Sequence, residues 1–248
     1  MNAATNAVER AVRNVVIANR ILASEGVVDA YGHVSVRHPG NPNRYFLSRS
    51  RSPELVERGD IMEFDLESRA VSDKRQPYLE RFIHGSIYAA RPEVNAVVHS
   101  HADDVLPFGV ARKTPLRCVV HTAGCMGYHV PVWDIRDRFG DTNLLVTNAE
   151  QGRDLAASLA GNNTVLMAAH GFAAAGRSLA EVVRIAVYLP KNARTYMDAL
   201  KLSASPGDVR LLSEGEVKRK MVDNPEAPEI MRAWEYWAKR AGCAELLS

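Results

Sequence analysis

Long apolar runs are missing from this sequence, and so is an excess of charge of either sign. No stretch approaches the roughly 18 apolar residues that a membrane span requires. Met1 to Arg20 shows no charged segment leading into an apolar one, so neither export nor anchoring is expected. Lys and Arg number 31 against 29 Asp and Glu, a net charge of +2 that lacks the basic excess of a nucleic-acid surface. Cysteine is scarce. Cys118, Cys125 and Cys243 form neither an even framework nor a CxxC pair, which points to a reducing compartment, the cytoplasm. Neither a GxGxxG nor a P-loop motif opens any helical stretch, so nucleotide binding has no support. What remains is ordinary in bulk: 248 residues, 46% hydrophobic and 24% charged, long enough to build a core without staples.

Periodicity organises the chain. Apolar residues from Val8 to Leu22 recur at helical spacing and Gly26 offers a stop. Gly32 to Arg37 alternates like a half-buried strand, and Tyr45 to Ser48 resumes as its hairpin partner after a Pro-Gly-Asn turn. Ile61 to Leu66 continues that sheet. Glu80 to Ala90 is helical and ends before Pro92, because the residue preceding proline is driven out of the α region. Ala96 to His101 is a short strand, with others expected at Arg117 to Val120, Tyr128 to Val132 and Thr164 to Ala168. Helices are expected at Ala149 to Leu159, Ser178 to Leu200 and Glu226 to Ala241, the last carrying Trp234 and Trp237. Strands mixed with helices, without a repeat or linker, predict one three-layer α/β/α domain over 1–248 with a helical tail from about 205.

Three histidines carry the chemistry. His99 and His101 stand two apart on a predicted strand and leave the same face. His170, before Gly171, ends another. Three imidazoles with an open fourth position make a catalytic metal site, whereas a structural zinc site is closed by four ligands. A pair two apart also arises by accident of surface composition. The Ala96-Val97-Val98 run argues otherwise, because imidazoles ending a buried strand cost desolvation unless something compensates them.

Asn95-Ala96-Val97-Val98-His99-Ser100-His101, Leu79-Glu80-Arg81-Phe82-Ile83-His84, Ala169-His170-Gly171 and Gly32-His33-Val34-Ser35-Val36-Arg37 together resemble the class II aldolase/adducin family. The resemblance spans roughly Ala11 to Leu200. It implies a mixed, mostly antiparallel sheet between helical layers, and a homotetramer with active sites at subunit interfaces. It implies one divalent metal per subunit on His99, His101 and His170, with Glu80 as the acid/base. Zinc suits the imidazoles, and manganese, iron or cobalt also suit a chelating, oxygen-rich substrate. His121 and His129 fall where relatives approach a neighbouring subunit. His84, four residues after Glu80 on the same helical face, is expected to pack or face solvent, with a place behind the site as the alternative.

Two departures redirect the substrate. Sugar-phosphate aldolases of the family carry Asn where this chain has His33, and two serines where it has Tyr78-Leu79, so the phosphate cradle is lost. In place of a short Ser-Gly segment stands Leu47-Ser48-Arg49-Ser50-Arg51. Ser48 with Arg49 and Arg51 suits a carboxylate, which arginine grips with a bidentate fork; two loop arginines also fit a merely solvated segment. These changes resemble the branch that decarboxylates hydroxylated aromatic or pyridine dicarboxylates. The expected reaction is loss of carbon dioxide beside the metal, with Glu80 or His33 protonating the ring carbon. A sugar-phosphate aldolase, epimerase or dehydratase, and a metal-free adducin-like interaction module, are the alternatives.

Overall fold

A computed structural model describes residues 3–111 and 113–247, so positions 1, 2, 112 and 248 of the expected domain lie outside the described residues. The chain opens with α1 (Ala3–Ser24) and enters the hairpin β1 (His33–Arg37) and β2 (Arg44–Ser48), followed by β3 (Ile61–Asp65). A single 3-10 turn, Leu79–Arg81, leads into α2 (Phe82–Ala90), then β4 (Ala96–Ser100) and α3 (Leu106–Val110). Next come β5 (Val132–Trp133), α4 (Arg136–Phe139), α5 (Ala149–Leu159), β6 (Thr164–Met167) and β7 (Gly171–Gly176). The helices α6 (Leu179–Leu202), α7 (Glu214–Lys218) and α8 (Pro228–Arg240) complete it.

The strands form one seven-stranded sheet in the order β3-β2-β1-β4-β7-β6-β5. Every neighbouring pair is antiparallel except β5 with β6. Two apolar clusters flank it. Val34, Ala96, Val98, Phe172 and Ala174 pack beneath α1, α6 and α8, while Val97, Ala173 and Ala175 face Ile83 and Ile87 of α2 and Leu155 of α5. Alternation along each strand thus sorts side chains between two helical layers, the expected α/β/α arrangement. The tail packs through α8 on α1 and α6, with Trp234 and Trp237 buried and Tyr236 exposed.

Two expected strands fail, and one strand goes unexpected, for identifiable reasons. Arg117 to Val120 is not a strand, because the buried Asn192 amide satisfies its backbone. Asn192 Oδ1 accepts from the N–H groups of Val119 and Val120, and its Nδ2 donates to the Arg117 carbonyl. Tyr128 to Pro131 pairs as no strand either. Gly127 turns the chain at φ +96° and Pro131 has no N–H for a ladder, so pairing begins at Val132. Conversely β7 escapes periodicity, since its alanine-rich segment has little strand preference. Its place between β4 and β6 imposes the conformation.

Candidate metal centre and its histidine neighbours

The site forms where β4 ends and β7 begins. His99 closes β4 on the α2 side of the sheet, and His101 follows just beyond the strand. His170 sits in the turn between β6 and β7. Gly171 makes that turn possible, because a Cβ there would stand 2.1 Å from the Ser100 carbonyl oxygen. Two non-glycine residues here hold left-handed backbone, Ala169 at φ +55° and Leu144 at φ +66°. Such conformations cost on the order of 1 kcal/mol each and persist only when their surroundings enforce them. Here they serve His170: Ala169 precedes it, and the Leu144 carbonyl accepts a hydrogen bond from its Nδ1 at 2.9 Å.

His99 is oriented in the same way, its Nδ1 donating to the Phe172 carbonyl at 3.0 Å. A carbonyl can only accept, so both rings carry their proton on Nδ1 and turn an Nε2 lone pair inward. His101 Nε2 lies 2.9 Å from that of His99 and 3.1 Å from that of His170. Glu80 completes the group, with Oε2 at 3.4 Å from His99 Nε2 and 3.5 Å from His170 Nε2. Two inward lone pairs and a carboxylate repel one another unless a cation lies between them. The nitrogen separations approach the roughly 3.3 Å edge of a tetrahedron built on zinc–imidazole bonds. The donor set therefore fits a divalent metal.

Glu80 is not on a helix proper. It occupies the 3-10 turn at φ −88°, ψ 17°, and is buried rather than solvated in a first helical turn. Its Oε1 accepts from the Val146 N–H at 3.1 Å. Burial raises this carboxyl, whereas positive charge in the cluster, on the imidazoles or on a cation they hold, lowers it below the usual range. Burial and the neighbouring imidazoles push His101 down to about 4, keeping it neutral as a metal requires.

His33 stands opposite His99 in the β1–β4 register, ring centroids 5.1 Å apart. It packs against Tyr78 at 4.6 Å, so the two departures from the aldolase pattern touch each other. Ser48 donates to the Tyr78 hydroxyl at 3.1 Å and reaches His33 only through that ring. The two arginines share one carboxylate partner. Arg49 Nε and an Nη of Arg51 both grip Asp60, at 2.6 and 2.5 Å, and Asp60 is nearly enclosed. Burial raises the Asp60 carboxyl, yet the Glu57 N–H and the two guanidiniums lower it overall. The arginines therefore neutralise an internal carboxylate, and Asp60 is a partner that sequence reasoning missed.

His84 takes the alternative place, behind the site, and not the surface. It is fully buried, with Nε2 at 2.7 Å from His33 Nδ1 and Nδ1 at 2.6 Å from Ser35 Oγ. Ser35 Oγ in turn lies 2.7 Å from the Tyr88 hydroxyl. The signal was present in the spacing: Glu80, His84 and Tyr88 recur every four residues, opposite the alternating polar series His33, Ser35, Arg37 of β1. His121 and His129 are exposed and are not members of this group.

Comparison with known proteins agrees with this geometry. Decarboxylase tropJ of Talaromyces stipitatus is 34% identical over 249 residues, covering 92% of each chain. The 3,4-dihydroxyphthalate decarboxylase of Arthrobacter keyseri is 24% identical over 246 residues, covering 93% of each. Among solved structures, an L-fuculose 1-phosphate aldolase from Glaciozyma antarctica superposes with a TM-score of 0.70 at 20% identity, covering 100% of this chain and 93% of that one. An aldolase II superfamily protein from Pseudomonas syringae reaches 0.78 at 16% identity, covering 97% and 95%. The profile described as class II aldolase and adducin N-terminal domain matches residues 13–197, and the chain belongs to that family.

Proposed function

We propose that this protein is a metal-dependent carboxy-lyase that removes one carboxyl group, without oxidation, from a hydroxylated aromatic or heteroaromatic dicarboxylate. The observation that carries the reading is the pairing of a metal-fitting cluster, Glu80 with His99, His101 and His170, with the His33–Tyr78 contact beside it. A flat ring suits that contact, and the full-length relatives named above are decarboxylases.

A divalent cation bound by the cluster, zinc or manganese by preference and iron or cobalt as alternatives, would supply Lewis acidity against the charge left on the substrate. The chain's own residues do the rest. Glu80, ionised and anchored through Oε1 to Val146, takes the proton of the ring hydroxyl as substrate binds and returns it to the ring carbon after carbon dioxide leaves. His33 is the other group placed beside the same substrate. Arg49 and Arg51 hold the carboxylate that stays, using guanidinium edges that Asp60 does not occupy. Tyr31, 68% exposed with its ring 6.3 Å from that of His101, leaves this side of the site open to a neighbour. We take the protein as a cytoplasmic homotetramer with active sites at subunit interfaces, in which that side would meet the neighbour.

The test offers the metal-loaded protein 3,4-dihydroxyphthalate, a hydroxypyridine dicarboxylate and L-fuculose 1-phosphate in parallel. Carbon dioxide release from a dicarboxylate, with no aldehyde from the sugar phosphate, is the expected result. Retro-aldol cleavage alone would transfer the chain to the aldolases. Deleting the second carboxylate of the active substrate raises KM about tenfold or more if the arginines hold it.

A further inference from the structure

Tyr88, Ser35, His84 and His33 form a continuous row of hydrogen-bonding groups, each 2.6 to 2.7 Å from the next. All four are sealed from solvent almost completely, at 1%, 0%, 0% and 3% exposure. Two directions of donation are conceivable along such a row, and satisfaction of the end groups chooses between them. Among the described residues, Ser35 Oγ is the only acceptor within reach of the Tyr88 hydroxyl. If donation ran from His33 towards Tyr88, the phenol proton would be buried without a partner, a cost of roughly 1–3 kcal/mol. If Tyr88 donates to Ser35, Ser35 donates to His84 Nδ1 and His84 Nε2–H donates to His33 Nδ1, every proton inside the row is used, and only the His33 Nε2–H at its outer end is left for a further partner.

From this row we infer that His84 is a positioning residue that holds His33 as the Nε2–H tautomer, making His33 a directed hydrogen-bond donor to an anionic oxygen of the substrate. His33 Nε2 has no hydrogen-bond partner among the described residues and still touches accessible surface, so it is free for that contact. The register neighbour His99 has the opposite arrangement, with its proton on Nδ1. Adjacent strands therefore present a lone pair and an N–H side by side, one for a cation and one for an anion.

The same row assigns the proton chemistry of the proposed reaction. For His33 to give its Nε2 proton to carbon, His84 would pass a proton to His33 Nδ1, Ser35 to His84 Nδ1, and Tyr88 to Ser35. The balance leaves a phenolate on Tyr88 inside the core, where burial already pushes that hydroxyl upward. Protonation of carbon therefore falls to Glu80, and His33 stabilises charge on oxygen.

The substrate part of this inference rests on the decarboxylase reading, but the tautomer does not. Full-length, zinc-loaded protein labelled with 15N-histidine is measured by long-range proton–nitrogen NMR, with His33→Asn identifying the His33 signals. A pyrrole-type Nε2 and a pyridine-type Nδ1 are expected at His33; the reverse pattern overturns the inference. In His84→Met both nitrogens should drift towards averaged shifts, while His84→Gln, whose amide can still donate, restores the wild-type pattern. An unchanged pattern in folded His84→Met would show that something other than His84 sets the tautomer. With an active substrate, kcat in His84→Met should fall about tenfold or more and recover in His84→Gln. Absence of carbon dioxide release from wild-type protein would sink the decarboxylase reaction, whereas the nitrogen shifts of His33 would still decide the tautomer.

Discussion

His99 and His33 face each other across one ladder, yet their surroundings assign them opposite work. At His99 the outer nitrogen meets a backbone carbonyl, so the inner one is a lone pair; that of His170 is set in the same way, and together with His101 and a carboxylate they converge on a point that wants positive charge. At His33 the outer nitrogen meets another imidazole within a row of alternating donors and acceptors that leaves one N–H pointing outward at its end. The first region is incomplete without a cation, and the second lacks only an acceptor for that N–H. The identity of the residue is the same in both; the atom behind it decides the role.

Substitution separates the two regions most sharply at the cluster. His99→Ala or His170→Ala should remove bound metal, seen by elemental analysis of the purified protein, and lower turnover roughly a thousandfold or more, corresponding to several kcal/mol of lost charge stabilisation. Glu80→Gln should keep most of the metal and still lose turnover by roughly a hundredfold or more. Full activity in either histidine variant after exhaustive chelation would abolish the distinction between the regions.

Asp60 provides a third setting against which to sharpen the contrast, because its charge is balanced within the chain itself. Asp60→Asn should lower stability by about 2 kcal/mol in urea denaturation, since two arginines lose a shared and poorly solvated counter-charge. The pH dependence follows from the lowered Asp60 carboxyl. A depressed carboxylate contributes above its unfolded value and loses that contribution as pH falls through the folded one. Wild type should accordingly lose this increment below about pH 4, and the asparagine variant should show a flatter acid limb.

The smallest effect belongs to the far end of the hydrogen-bonded row. Tyr88→Phe should cost about 1 kcal/mol in thermal or urea unfolding, with no change in metal content. Loss of metal in that variant would mean that the two regions are not independent.

Both helical layers and most of the strands were legible in the sequence, because burial of apolar faces sets period; His99, His101 and His170 drew attention by ending predicted strands, and Glu80 only through the family resemblance. Arg117 to Val120 misled because a single side chain, Asn192, can replace a strand partner, and no local pattern announces that. Segment β7 was hidden for the reverse reason, being held by neighbours rather than by its own alanines. His84 was undervalued because a polar residue on a helix reads as solvated until the opposing strand is considered with it. Asp60 lay unnoticed in an Arg58-Gly59-Asp60 turn whose meaning depends on arginines eleven and nine residues earlier.

The four-residue spacing of Glu80, His84 and Tyr88 has a practical consequence for anyone wishing to graft this chemistry onto another scaffold. Copying the cluster alone would yield a metal binder whose neighbouring imidazole is free to flip. The segment from Glu80 to Tyr88 and its facing strand would have to travel together, as a lock travels with its key.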